Sequence, residues 1–330
     1  MKLWEKNIRR VEPYVPGEQP QEDNIIKLNT NENPYPPAPG VSKILTKDQA
    51  ARLRLYPDPA VTLLVKAIAE YKGLDQNQVF VGVGSDDVIA MAFLTFFNSK
   101  KPILFPDITY SFYDVWSKLF QVPYKQVEVN KDFKINKADY YQENGGIIIA
   151  NPNAPTSIYE DLNFIRDILE NNQESVVIID EAYIDFAQDS AMELIEDYEN
   201  LLVVQTFSKS RSMAGMRIGY AMGSKFLIRA LNDVKYSFNS YTMNLPSILC
   251  GVESIKDDKY FKETILKILS TRDKTMERLR DLGFDFPDSK TNFIFAKHNR
   301  IAGKTLYEEL RKDKIYVRHF NSPKIDDYIR

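Results

Sequence analysis

The chain has 330 residues, with 43 Lys plus Arg against 46 Asp plus Glu and a net charge of −3; its pI is near 5.7. That balance offers no broad basic surface for nucleic acid, although a local cluster of arginines could still hold a phosphorylated small molecule. A single cysteine, Cys250, excludes an intrachain disulfide and a thiolate metal cluster, and it favours a reducing compartment.

The length suits two packed lobes better than one small domain. Residues 1–6 carry no apolar signal core. The longest apolar runs, such as 88–97, fall far short of the roughly 20 residues that span a bilayer. A cytoplasmic protein without a membrane or nucleic-acid partner is expected. Neither of the two histidines, His298 and His319, sits in a metal-ligand or catalytic-triad spacing, so both read as surface or loop residues and no metal site is expected.

In chain order, residues 1–40 come first. Pro13, Pro16, Pro20, Pro34, Pro36, Pro37 and Pro39 exclude a long helix here and predict an extended arm. An arm of this kind packs on the small lobe or on a partner subunit. Residues 61–71 have helical periodicity, with Gly73 as a stop. Short β-rich runs follow at 79–83, 102–105, 124–129, 146–150, 176–179, 201–207 and 217–222, those at 176–179 and 201–207 apolar almost throughout. Helical stretches lie between several of them, at 86–97, 111–120 and 161–171. Such alternation predicts an α/β fold whose large domain has a mostly parallel, helix-covered sheet. After about residue 240 the pattern changes to a long helix at 260–282, a strand at 292–296, a helix at 304–311 and a strand at 315–318. The expected division is an arm over 1–40, a large domain over 41–240 and a smaller α/β domain over 241–330.

Ligands of parallel α/β sheets bind beyond the carboxyl ends of the strands, which draws attention to three places. Asp180 directly follows a buried run and could pair with a cationic ring nitrogen, while Tyr183 could donate to a phenolate oxygen. Taken alone, an acidic strand-end residue capping the next turn is the more ordinary reading. Lys209 follows Thr206 and Ser208 at another strand end and is a candidate Schiff-base amine. The two hydroxyls and Arg217, eight residues further on, suit a phosphate. Gly82-Val83-Gly84-Ser85-Asp86 opens a helix whose free amides could bind an anion, though a short Gly-x-Gly is weak by itself. Together these groups match the ring nitrogen, phenolate, aldehyde and phosphate of pyridoxal phosphate. The chain has neither a GxGxxG nor a Walker lysine motif.

The segments KLNTNENPYPPAP (27–39), YPDP (56–59), VGVGSDDVI (81–89), PDITYSFY (106–113), NPNAPT (151–156), IIDEAYIDF (178–186), TFSKSRSMAGMRIGY (206–220), TNFIF (291–295) and IYVRHF (315–320) carry a resemblance across nearly the whole chain. The sequence resembles the fold-type-I aminotransferases, and among them most closely the histidinol-phosphate aminotransferase family. The resemblance implies that Lys209 carries pyridoxal 5'-phosphate and moves protons, that Asp180 keeps the ring nitrogen protonated, and that Tyr183 tunes the phenolate. It further implies that Tyr110 stacks on the ring and that Ser85 and Asp86 offer amides to the phosphate. Tyr56 would reach the neighbouring subunit's cofactor in a homodimer. Arg318 and Arg330 would hold the substrate's anionic end, with Asn31, Glu32 and Asn33 of the arm near the substrate.

The implied reaction is a ping-pong transamination between histidinol phosphate and 2-oxoglutarate, giving imidazole-acetol phosphate and glutamate, in histidine biosynthesis. Alternatives on the same scaffold are a threonine-phosphate decarboxylase and an aromatic amino-acid aminotransferase. A non-catalytic pyridoxal-phosphate-binding regulatory module is a remote one, because its expected basic helix-turn-helix companion is missing. Three departures from the family pattern stand out. Ala154 occupies the place of the Asn that contacts the phenolic oxygen, leaving Asn153 as the nearest substitute. Arg211 adds a cation near the site. The family pattern continues for a strand and a helix past Arg330, which implies an incomplete chain or a trimmed small domain.

Overall fold

A strand rich in β-branched and aliphatic residues needs cover on both faces, and the runs read from the sequence obtain it by joining one sheet with helices packed on either side. The computed structural model describes residues 2–330. The strands are β1 (Ile26–Lys27) in the arm, β2 (Val79–Gly82), β3 (Ile103–Pro106), β4 (Tyr124–Val127), β5 (Ile147–Ala150), β6 (Val177–Asp180), β7 (Leu201–Thr206), β8 (Gly219–Gly223), β9 (Phe284–Asp285), β10 (Ala296–His298), β11 (Ile315–Tyr316) and β12 (Tyr328–Ile329). The α-helices are α1 (Lys47–Ala51), α2 (Thr62–Lys72), α3 (Ser85–Phe96), α4 (Phe112–Phe120), α5 (Leu162–Glu170), α6 (Lys225–Phe238), α7 (Leu245–Lys256), α8 (Asp258–Asp281) and α9 (Gly303–Lys312).

The large sheet has seven strands in the order β2-β8-β7-β6-β5-β3-β4. Its pairings are parallel except at β8, which runs antiparallel to both β7 and β2. Successive residues of β6 divide between the two faces. Val177 and Ile179 join a core with Leu64, Ile68 and Ile248 from α2 and α7, whereas Ile178 joins a core with Val88, Phe93, Trp116 and Leu231 from α3, α4 and α6.

The reversal at β8 places the chemistry. After Thr206 the chain loops back through a 3₁₀ turn (Ala214–Met216) and returns with Gly219 opposite Thr206. Gly219 also sits opposite Gly82 at the end of β2. The ends of β2, β6 and β7 and the start of β8 therefore meet at one edge.

Helices α6 and α7 were not anticipated from the sequence. α7 belongs to the large core: a Cβ on its Gly251 would lie 2.9 Å from Leu64 Cδ1, and its Cys250 is fully buried. We therefore propose the lobe boundary at Asp257, between α7 and α8, instead of residue 240. The expected strand at 292–296 begins only at Ala296. Before it, the Thr291 hydroxyl donates to the Phe293 carbonyl at 2.9 Å and Ser289 donates to the same oxygen, which removes an acceptor that a ladder would need. In the smaller lobe β12, β10 and β9 form an antiparallel sheet, and arm strand β1 pairs in parallel with β11.

A Cβ added at Gly219 would fall 2.2 Å from both Gly84 C and Ser85 N, which are backbone atoms that cannot swing away. Gly219→Ala is expected to lower stability in chemical denaturation by at least about 2 kcal/mol, within the range of severe overpacking.

Candidate active site

Lys209 and Arg217 both lie on the connection between β7 and β8, so one hairpin delivers them together. Within it the Thr206 hydroxyl lies 3.0 Å from the Ser208 hydroxyl and 3.1 Å from the Ile218 carbonyl, and the Ser208 N–H donates back to Thr206 at 3.1 Å. Lys209 Nζ donates to the Thr30 carbonyl of the arm at 3.0 Å. It also stands 5.7 Å from the centroid of the Tyr183 ring.

Asp180 ends β6 at 5% exposure. Its Oδ2 accepts from the Tyr113 hydroxyl at 2.7 Å and its Oδ1 from the Ala182 N–H at 3.3 Å. Among the described residues no cation pairs with it. Burial raises its pKa from 3.8 to about 6, with Tyr113 opposing the shift and Asp86 adding to it. Tyr183, three residues on, accepts from Asn31 Nδ2 at 2.9 Å, which leaves its own proton free to donate.

The third element is the start of α3. Its N-cap is Gly84, at φ +89°, so no side chain caps the first turn. A Cβ there would sit 2.5 Å from Arg217 Nη2, and Arg217 itself adopts a left-handed φ of 53° to bring its guanidinium over this turn. Arg217 lies 3.5 Å from Asp86 Oδ2, and the Tyr110 hydroxyl donates to Asp86 Oδ1 at 2.8 Å.

In the smaller lobe, the backbones of Arg318 and Arg330 exchange N–H···O bonds of 2.9 and 2.8 Å, which sets their side chains beside each other. Arg330 Nη2 donates to the Asn29 carbonyl at 3.0 Å and Arg318 Nη2 to the Val15 carbonyl at 3.3 Å. Neither has a carboxylate partner among the described residues. Arg330 Nε and the amide oxygens of Asn29 and Asn31 are buried without a hydrogen-bond partner. Burial and the neighbouring Arg318 both pull the Arg330 pKa down.

These groups line one cavity of about 290 Å³. It brings together Ser85, Asp86, Tyr110, Asp180, Tyr183, Thr206, Ser208, Lys209, Arg217, Arg318 and Arg330, as the sequence suggested. It also exposes residues the sequence reading passed over, namely Tyr14, Thr30 and Thr109. Tyr113, fully buried behind Asp180, was missed as well; its place one helical turn after Tyr110 is the signal that could have found it.

Three expectations, those on Asn153, Asn33 and Arg211, need correction. Asn153 does not line the cavity: its Nδ2 donates to the Ile108 carbonyl and the Thr156 hydroxyl, each at 2.9 Å, and its Oδ1 accepts from Thr109 at 2.7 Å. With its polar atoms engaged in the loop it cannot reach a ligand, and Ala154 takes the cavity wall. Asn33 lies outside too, and braces the Lys209 loop by donating to the carbonyls of Lys209 at 2.9 Å and Ser210 at 3.1 Å. Arg211 points away from the cavity, with its guanidinium over Phe261 at 4.2 Å and Tyr71 at 4.9 Å and its Nη1 donating to Ser254 O at 2.8 Å. Tyr56 is 85% exposed on this protomer's surface, against Tyr241 at 4.8 Å.

The residues present fit pyridoxal phosphate. An uncapped helix start, two hydroxyls and an arginine form a phosphate cradle that a Cβ at Gly84 would fill. A buried carboxylate without a cation complements a protonated ring nitrogen, and a lysine lies within the same cavity.

A carboxyl whose pKa is raised on folding takes up a proton as the chain folds. It therefore does not oppose folding below its unfolded pKa of 3.8; its cost grows as pH rises from there to about 6 and is constant above that. Cofactor-free Asp180→Asn is expected to match wild type in urea denaturation near pH 4. Near pH 8 it should be more stable by about 1–3 kcal/mol; equal stability at pH 8 would contradict the uncompensated burial of this charge.

The family described as aminotransferase class I and II matches residues 23–330. The chain is 51% identical to the histidinol-phosphate aminotransferase of Brachyspira hyodysenteriae, over 98% of this chain and 91% of that protein. It is 52% identical to the histidinol-phosphate aminotransferase of Acinetobacter baylyi, over 100% and 92%. Among solved structures, the histidinol-phosphate aminotransferase of Sinorhizobium meliloti in complex with pyridoxal-5'-phosphate superposes with a TM-score of 0.84 at 22% identity, covering 93% of this chain and 85% of that one. The enzyme from Clostridium acetobutylicum gives 0.84 at 24% identity, over 92% and 93%. By sequence along nearly its full length and by fold, the chain belongs to the class I and II aminotransferases.

Proposed function

We propose that this chain is a pyridoxal-phosphate-dependent transaminase that exchanges an amino group between histidinol phosphate and 2-oxoglutarate, in histidine biosynthesis. The observation that carries the substrate is the Arg318–Arg330 pair, two guanidinium groups without carboxylate partners that line the same cavity as Lys209. Each can clasp a phosphate or a carboxylate through parallel N–H bonds, so one pair serves both the phosphorylated amine and the dicarboxylic keto acid. The names of relatives at 51% and 52% identity support the same substrate.

When bound, pyridoxal phosphate supplies an electron-poor ring that accepts the electron pair released at the substrate's amine-bearing carbon. Lys209 would hold its aldehyde end, Asp180 its ring nitrogen and Tyr183 its phenolic oxygen. The amides of Ser85 and Asp86, with Thr206, Ser208 and Arg217, would hold its phosphate, and Tyr110 its ring face. The Lys209 amine would take a proton from that carbon in the first half-reaction and return one in the second. Arg318 and Arg330 orient the substrate so that this carbon faces Lys209. The arm over Thr30–Asn31 closes the cavity against water, and the two substrates use it in turn.

A homodimer goes with this reading. The exposed side chains of Leu53, Leu55, Tyr56, Leu63, Phe238 and Tyr241 form apolar surface suited to a second copy, and Tyr56 would cross to the partner's phosphate cradle. A cytoplasmic location also fits, since the only cysteine is a free thiol inside the core.

Adding L-histidinol phosphate to the loaded protein is expected to bleach its visible absorbance, and 2-oxoglutarate to restore it. Release of carbon dioxide in place of that cycle would point to a decarboxylase and overturn the reaction. Lys209→Ala should lower turnover by about 10²–10⁴-fold, the usual contribution of a positioned proton-transfer group. Arg318→Ala should raise KM for histidinol phosphate by roughly 10- to 100-fold, the value of a hydrogen bond to a charged group, with a smaller change in kcat.

A further inference from the structure

Two neighbouring carboxyls end up buried at the tip of β6, and their surroundings differ. Glu181, 1% exposed, accepts from Ser190 Oγ at 2.6 Å, from the Ala191 N–H at 2.7 Å and from Gln205 Nε2 at 2.7 Å. It is fully engaged within the large-lobe core. Asp180 faces the cavity and has one short hydrogen bond, from Tyr113.

Tyr113 has no exposure to solvent. Its ring is wedged edge-on against Phe105, at 5.8 Å and 71°, and against Tyr110, at 5.7 Å and 86°. A phenol held this way has one place for its proton, and 2.7 Å is the length of an O–H donor bonded to an oxygen acceptor. Burial and the adjacent carboxylate push the Tyr113 pKa well up, so it remains a donor at any working pH. The bond acts on Asp180 in two ways. It favours the charged carboxylate over the neutral acid, and it stops the carboxylate from turning about its last torsion.

We propose that Tyr113 is a positioning residue: its hydroxyl keeps the Asp180 carboxylate ionised and aimed into the cavity, and so sets the hold of this chain on the ring nitrogen of pyridoxal phosphate. The proposal rests on the cofactor reading given above. It adds a residue that lines no part of the cavity and acts only through Asp180.

The test uses the full-length protein stripped of cofactor and titrated with two probes. One is pyridoxal phosphate; the other is its analogue with the ring nitrogen replaced by carbon. Binding is read from tryptophan fluorescence, since the Trp116 ring lies 6.3 Å from that of Tyr110 on the cavity wall. Tyr113→Phe is expected to weaken pyridoxal phosphate by about tenfold to a hundredfold, the value of a hydrogen bond to a charged group, and to leave the carbon analogue unchanged. Equal weakening of both probes would mean that Tyr113 only packs, and no weakening of either would mean that Asp180 does not need it. Each result overturns the proposal.

In an Asp180→Asn background the same substitution should change pyridoxal phosphate affinity less than twofold, because the effect travels through the carboxylate. That comparison also serves if Tyr113→Phe alone does not fold; a further tenfold loss there would overturn the proposal. Wild-type protein that binds neither probe would overturn the cofactor reading itself, an outcome separate from wild type binding pyridoxal phosphate and Tyr113→Phe binding it equally.

Discussion

The architecture around the cavity is organised by one unfavourable fact, an acidic side chain taken almost wholly out of water without a positive charge to meet it. Asp180 is held there because β6 is central, with β5 on one side and β7 on the other, which leaves it facing only the cavity. Strand alternation then decides the fates of Asp180 and Glu181: adjacent in sequence, they point to opposite sides of the sheet. Burial raises the pKa of both, to about 6 and about 7 respectively. Only Glu181 finds three local hydrogen-bond donors. The chain thus keeps one carboxyl as a structural tie and the other as a group whose best partner is a ligand.

The second organising device is the reversal of β8. A parallel continuation would have needed a crossover back to the opposite end of the strands before pairing. By folding back directly, the hairpin keeps Lys209 and Arg217 within one loop and lays Gly219 against the start of α3. The close approach of two glycine-bearing backbones gives the cradle its shape. Arg217, held in a left-handed conformation, covers it. The strain of that conformation is modest, and it is sustained because the flanking strands over-determine the loop.

The sequence was informative where a single local signal carried the meaning. The seven β-rich runs of the large sheet were legible from their composition. Lys209, Asp180, Tyr183 and Arg217 were legible because polar residues directly after buried strands, taken together, complement one ligand and few besides. Where meaning depended on tertiary partners, the reading failed. Asn153 and Ala154 are neighbours, and which of them faces a ligand depends on the hydrogen bonds that Thr109, Thr156 and Ile108 impose on Asn153. Nothing local distinguishes Tyr113 from the other aromatic residues of α4, and its hydroxyl meets Asp180 only when β6 comes within reach. Helix α7 was missed although Asn244 followed by Pro246 is a start signal, with Asn244 accepting from the Ser247 N–H at 2.8 Å. Gly251 and two serines weaken its apolar pattern, because the helix packs closely enough to need small residues.

The arm ties distant parts of the chain together. Asn31 meets Tyr183 across 152 positions, Thr30 meets Lys209 across 179, the Asn31 carbonyl meets Asn292 across 261 and the Asn29 carbonyl meets Arg330 across 301. Contacts so remote in sequence close large loops and form late relative to the local hairpins and helices of the sheet. During synthesis the arm leaves the ribosome before any of these partners exists. The sheet and its hairpin can therefore take shape around an open cavity while the arm waits, and the substrate side is sealed only after the smaller lobe has folded. For a chain of this design, Lys209 lacks its hydrogen bond to the Thr30 carbonyl until the arm docks.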